Sequence, residues 1–164
     1  MTRRQPVPKI WLFSDERMGD AFLPALARLP KGSGLLFRHY GLAKAERRAL
    51  FKAARAIARK RRVVVLLAGS VREVSTMKRT SLKTASVHTV RELIAADRAR
   101  ADLIFVSPVF PTRSHPGERT LGRSGFATLA RRAKVPVIAL GGMNARRART
   151  LKGAYGWAGI DAWL

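Results

Sequence analysis

Apolar residues recur along this chain in two alternating rhythms: short runs rich in β-branched side chains, and longer stretches with a helical period. "KIWLFSD" reads as a strand and "GDAFLPALARL" as the helix after it. "GSGLLFRHY" is the next strand, followed by a long helix from about Ala45 to Arg61. "RVVVLLAG" is continuous, apolar and closed by Gly69, whereas "SLKTASVH" is a weaker strand. "TVRELIAADRARA" opens with Thr89 and Glu92 at capping-box spacing. "DLIFVSPVF" and "VPVIALGG" are strong strands with a helix of roughly Ser124 to Ala133 between them. Asn144 caps a further helix that Gly153 ends, and "WAGIDAWL" closes the chain as a strand.

Strands apolar on both faces, alternating with helices, imply an α/β fold in which helices cover a parallel sheet. Polar residues recur where each strand ends: Ser14 and Asp15; Arg38, His39 and Tyr40; Ser86 and His88; Ser107 and Thr112; Gly141 and Gly142; Asp161. In a (β/α) barrel that edge gathers the active-site loops. A doubly wound sheet is the rival, but no glycine-rich nucleotide fingerprint follows any strand. The loop "SPVFPTRSHPG" is polar and stiffened by Pro108, Pro111 and Pro116, which suits a binding site and equally a plain connection.

Composition narrows the classes. At 164 residues, 47% hydrophobic and 26% charged, the chain fits one globular domain over 1–164. There is no cysteine, hence no disulfide framework, thiolate metal site or cysteine nucleophile. No apolar run approaches a membrane span and no signal-peptide core follows "MTRRQPVPK", so a cytoplasmic protein without membrane partners is expected. The formal net charge of +23 favours anionic partners. That charge is spread over amphipathic helices such as "ERRALFKAARAIARKRR" and "NARRARTLK", and aromatic content is 7%, so nucleic acid is expected to bind only nonspecifically.

Between Gly69 and Ser81 lies only "SVREVSTMKRT", too short for the helix, strand and return helix of a full unit. The chain stops at Leu164 as its last strand ends. The expectation is seven strands of an incomplete barrel, with the fourth βα unit and the last helix reduced or missing. Trp157, Ile160, Trp163 and Leu164 would then be poorly covered, which predicts either a homodimer burying them or a distorted barrel closed by "SVREVSTMKRT".

"LFSD", "GLLFRHYGL", "TASVH", "DLIFVSPVFPTRSHPGERTLG", "VPVIALGGM" and "GAYGWAGIDA" follow one another in the order of the thiamine phosphate synthase and TenI family, which the chain resembles from Lys9 onward. The resemblance implies a TIM-type (β/α) barrel and a role in thiamine biosynthesis. The synthase of that family joins a pyrimidine pyrophosphate to a thiazole phosphate with Mg2+ assistance, so the implied partner is a small phosphorylated thiazole or pyrimidine ligand. By resemblance Arg38 meets the pyrophosphate and Ser86 serves the same group. Thr112 and Ser114 match the hydroxyls that hold the thiazole phosphate. Gly142, with Gly141 before it, matches the glycine whose amide approaches that phosphate.

The resemblance breaks at the metal. Ala68 and Gly69 stand where the family has an Asn-Asp pair, and Tyr40 replaces its lysine, leaving Asp15 and Asp161 as carboxylates at that edge. Mg2+ usually needs one or two carboxylates beside phosphate oxygens. The expectation is therefore Mg2+ as the one candidate cofactor, with its protein ligands missing, and no assured synthase chemistry, with ligand binding as the reading and a TenI-like tautomerase as a metal-free activity. In that branch the histidine falls near the pair that here reads Ser107 and Pro108, so His88 and His39 are the substitutes. The alternative is a non-catalytic descendant whose basic surface binds nucleic acid or a protein partner.

Overall fold

The computed structural model describes residues 7–68, 82–114 and 116–164. Its backbone gathers into two compact units, one of residues 10–82 and 158–164, the other of residues 83–157 with the chain up to Lys9.

The unit beginning at Ile10 holds strand β1 (Ile10–Phe13), a 3-10 segment (Glu16–Ala21), helix α1 (Phe22–Arg28), β2 (Gly34–Phe37), α2 (Lys44–Arg61) and β3 (Val64–Leu67). β2 lies parallel to both neighbours, with Leu12 opposite Leu35 and Leu36 opposite Leu66. The helices lie over the sheet because their apolar positions recur at helical spacing. Leu50, Phe51, Ala54, Ile57 and Ala58 form one stripe of α2, and Ala54 and Ala58 are small enough to bring the helix close to its neighbours. Leu12, Phe22, Leu26, Leu35 and Phe37 are wholly buried in the same cluster, each worth about 1.5–3 kcal/mol of burial. Gly34 is a required glycine: a Cβ there would collide with the ring of buried Trp11.

The other unit holds β4 (Thr84–Val87), α3 (Val90–Arg98), β5 (Leu103–Val106), α4 (Gly122–Arg132), β6 (Val137–Ala139), α5 (Ala145–Ala148) and the start of β7 (Gly156–Gly159). These strands too are parallel, in the order β4, β5, β6, β7, with Ser86 opposite Phe105, Phe105 opposite Ile138 and Ala139 opposite Trp157. All four residues of β5 are buried, as expected for a strand covered on both faces. Thr89 caps α3, and Glu92 closes the reciprocal hydrogen bonds of the expected capping box.

The seven expected strands are present, shorter than their apolar runs; the helix read from "GDAFLPALARL" begins only at Phe22, behind the 3-10 segment, and two later boundaries differ as well. Asn144 does cap α5, but the helix is one turn long and stops well before Gly153. The Thr150 hydroxyl donates to the Arg147 carbonyl at 2.8 Å, a local bond that competes with continuing the helix. "WAGIDAWL" ends as a strand at Gly159 and finishes in a 3-10 turn, Asp161–Trp163. Trp157 is buried, Ile160 and Trp163 pack against the Leu12 cluster, and Leu164 is exposed, so the motive for a covering dimer shrinks to one side chain. "SVREVSTMKRT", Gly69 and His115 lie outside the described residues. No helix among the described residues is long and apolar enough to cross a membrane.

Candidate functional site

In the β4–β7 unit, the residues singled out by sequence gather at the C-terminal ends of adjacent strands. The chain leaving β5 is clasped from two sides. The Val109 and Phe110 amides donate to the carbonyls of Leu140 and Gly141 at 2.9 and 3.1 Å. The Leu121 and Gly122 amides donate to Pro108 and Val109 at 2.9 and 3.0 Å. Val109 is wholly buried, so this loop is a fixed part of the fold.

Against it lies the turn after β6. Gly141 and Gly142 have φ of 93° and 58°, the left-handed region that glycine enters without cost. A Cβ on Gly141 would stand 2.8 Å from the Pro108 Cα, and one on Gly142 would collide with the Pro111 carbonyl oxygen. The two backbones touch because neither residue has a side chain. Thr112 follows Pro111 directly, so the Thr112–Ser114 turn opens beside Gly142. Within it the Ser114 amide donates to the Thr112 hydroxyl at 3.3 Å. Both side chains are half-buried, while Arg113 between them is exposed.

Ser86, at the end of β4, is exposed. His88 stands two residues on, its Nδ1 2.7 Å from the Ser107 carbonyl oxygen at the root of the same loop. A carbonyl only accepts, so Nδ1 carries the proton and a neutral His88 keeps its lone pair on Nε2. The Glu92 carboxylate accepts the His88 and Thr89 amides at 2.6 and 2.9 Å, which fixes the backbone carrying that ring. Those bonds, the His88 amide first, hold the Glu92 carboxyl below its ordinary range.

Sequence reasoning missed Arg147. It was legible only as one cation on a basic helix face, yet its Nη1 donates to the Gly142 carbonyl and its guanidinium carbon lies 5.0 Å from the Phe110 ring centroid. The signal is in "GGMNARR": side chains in a helix tilt toward its N-terminus, so an arginine three residues after the Asn144 cap reaches back over the glycine turn.

Arg38 belongs to the other unit, at the end of β2, and its side chain is already engaged. Nε donates to the Ser14 carbonyl at 3.1 Å and Nη2 to Asp15 Oδ2 at 2.9 Å, while Asp15 Oδ1 pairs with Arg17. Burial pushes the Asp15 carboxyl up, but the hydrogen bonds from Arg17 and the charges of Arg17 and Arg38 outweigh it and hold the group below its ordinary value. His39, one of the two substitute histidines, is a core residue, buried with its ring 4.9 Å from Phe37 and 5.0 Å from Phe22. Tyr40 is exposed. Among the described residues no three His, Asp or Glu side chains come together as a metal-binding group.

Comparison with known proteins agrees with this architecture. The sequence model described as thiamine monophosphate synthase matches residues 69–163, more than half of the chain. The thiamine-phosphate synthase of Pyrococcus furiosus is 35% identical over 80 residues, covering 48% of this chain and 39% of its own length. That of Pyrococcus horikoshii is 32% identical over 80 residues, with the same shares. The chain thus spans well under half the length of these curated relatives in alignment. In fold, the solved thiamine phosphate pyrophosphorylase of Pyrococcus furiosus superposes with a TM-score of 0.77 at 21% identity, over 97% of this chain and 88% of that one. The chain belongs to the thiamine monophosphate synthase family.

Proposed function

We propose that this chain acts in thiamine biosynthesis by binding the phosphate of a small phosphorylated thiazole, or of thiamine phosphate, with Thr112, Ser114, Gly141 and Gly142. The observation that carries the reading is the close contact between Gly142 and the Pro111 carbonyl, which brings the glycine turn against the backbone leading directly into Thr112–Ser114. Hydroxyls and amides held in place by the fold suit a phosphate better than mobile ones, since little ordering remains to be done on binding. Calorimetry with thiazole phosphate and with thiamine phosphate tests it. Heat at submillimolar concentration supports the proposal, and no heat with either ligand at millimolar concentration ends it.

Binding rather than the full synthase reaction is the reading these residues support. Magnesium does not fit the described donors: position 68 is alanine, and both oxygens of Asp15 are taken by guanidinium groups. Two of the five N–H donors of Arg38 are already used on the Ser14 carbonyl and Asp15, which leaves Nη1 and one N–H of Nη2 for a pyrophosphate. Of the catalytic assignments, Ser86 stays a ligand to the pyrophosphate side, and His88 is the stronger general base for a metal-free proton transfer because its basic Nε2 is set by the Ser107 carbonyl. One functional domain over 1–164, a (β/α) barrel with a reduced fourth unit, and a cytoplasmic location without membrane partners belong to the same proposal.

A second reading has its own observation. α2 exposes Lys44, Arg48, Lys52, Arg59 and Lys60 with Glu46 as its one acidic residue, and like charges at i, i+4 oppose helix formation. A polyanion such as RNA relieves that repulsion. Retention of RNA in a gel at physiological salt favours this reading; binding lost with modest salt reduces it to nonspecific adhesion.

A further inference from the structure

We propose that Arg147 is the cation of the phosphate cradle, a phosphate-monoester ligand that the family resemblance does not supply; this rests on the binding site just described. Three features together support this role, the second being shared with Arg47, which also rests on carbonyl oxygens and an aromatic ring.

First, it is fixed at both ends. Its amide donates to Asn144 Oδ1 at 2.9 Å, its carbonyl accepts from the Thr150 amide and hydroxyl at 3.0 and 2.8 Å, and its guanidinium lies between the Gly142 carbonyl and the face of Phe110. An arginine already ordered loses little side-chain freedom when an anion arrives.

Second, the groups that hold it are neutral. Arg17 and Arg38 are paired with Asp15, and Lys134 with Asp97. Arg147 meets a carbonyl oxygen and an aromatic ring, which orient a guanidinium without cancelling its charge. One N–H of the five is used on the carbonyl, and the residue as a whole is exposed, so the rest of the fork can receive phosphate oxygens.

Third, it stands at the required place. Nη1 lies 3.0 Å from the point a Gly142 Cβ would occupy, on the glycine whose other neighbours are Phe110 and Pro111. The cation therefore stands at the turn whose Pro111 neighbour leads directly into Thr112–Ser114. A net charge of +23 attracts any anion weakly, but a guanidinium pinned on the glycine turn discriminates a dianion from its neutral counterpart.

The competing role is a structural pin that merely closes the glycine turn. A pin acts on every ligand alike, whereas an anion partner acts only when the phosphate is present. Calorimetry on the full chain with thiazole phosphate and with its unphosphorylated alcohol separates them, using Arg147→Gln, which keeps a donor for the Gly142 carbonyl, and Arg147→Lys, which keeps the charge. Arg147→Gln is expected to weaken the phosphorylated ligand by about ten- to a hundredfold and the alcohol by less than about twofold, with Arg147→Lys in between. Equal losses for both ligands, or a phosphate affinity within about twofold of the parent in Arg147→Gln, overturn the role of Arg147 alone. A parent chain that binds neither ligand overturns the site itself and Arg147 with it. Unchanged circular dichroism of both variants excludes misfolding as the source of a loss.

Discussion

His39 Nδ1 lies 2.9 Å from the Ser14 hydroxyl, which also accepts the Arg38 amide at 2.7 Å, so one serine at the end of β1 ties together two consecutive residues at the end of β2. His39 is buried with φ of 37°, a backbone region uncommon outside glycine and asparagine, and two phenylalanine rings hold it there. The ring is thus an anchor for Arg38, which accounts for a histidine at a strand end without giving it a role in chemistry.

Burial holds the His39 imidazole below its ordinary value of 6.5; Glu16 and Asp15 pull it upward, Arg47 and Arg38 push it further down. A folded ring harder to protonate than an unfolded one means that the unfolded chain binds more protons, so this group's contribution is complete above about pH 6.5 and declines as pH falls below it. Thermal unfolding should therefore have a lower midpoint at pH 5 than at pH 7.5, with a smaller difference in His39→Asn, which tolerates the positive φ and does not titrate. Equal pH sensitivity in parent and variant would place the effect elsewhere.

Gly142→Ala should damage both fold and site. Alanine at φ of 58° is strained, and its methyl would meet the Pro111 carbonyl and the Phe110 Cβ at 3.1 Å. The expected loss is about 1–3 kcal/mol in urea unfolding, together with disappearance of calorimetric heat for phosphorylated thiazole. Retained binding at parent affinity would show that the turn can open without disturbing the ligand.

His88 should populate one tautomer. With Nδ1–H donating to the Ser107 carbonyl, long-range proton–nitrogen spectra above neutral pH should show the protonated nitrogen at Nδ1 and a free lone pair at Nε2. A dominant Nε2–H form would remove the case for His88 as a base.

Much of this was legible beforehand because it depends on local patterns. The alternation of apolar runs and helical stripes located β1 to β7, and Thr89 with Glu92 marked the start of α3 by the reciprocal bonds such a pair makes. The glycine turn could be read because Gly141 and Gly142 follow the end of β6 with only Leu140 between. Contacts made by long side chains were not legible. Whether Arg38 faces a ligand or folds back onto Asp15, and whether Arg147 reaches the Gly142 carbonyl or extends into water, depends on which acceptors the fold brings within about 3 Å, and sequence spacing carries no such information. The length of α5 is hidden for a related reason: Gly153 is a good stop signal, but the Thr150 hydroxyl closes the turn earlier.

The pairing of Asp15 with Arg38 supplies the last test. The two side chains are 14% and 26% exposed, so the pair is sheltered and its loss leaves a guanidinium partly desolvated. Asp15→Asn should cost about 1–2 kcal/mol in urea unfolding, at the lower end of what a buried charged bond would give because water still reaches the site. Replacing the carboxylate by a carboxamide also leaves the positive charge of Arg38 uncompensated. If Arg38 serves pyrophosphate, inorganic pyrophosphate should bind the variant several-fold more tightly than the parent at low salt. If stability falls while pyrophosphate affinity stays the same, Arg38 is a structural tie between β1 and β2, and the family's pyrophosphate role has been lost from this position.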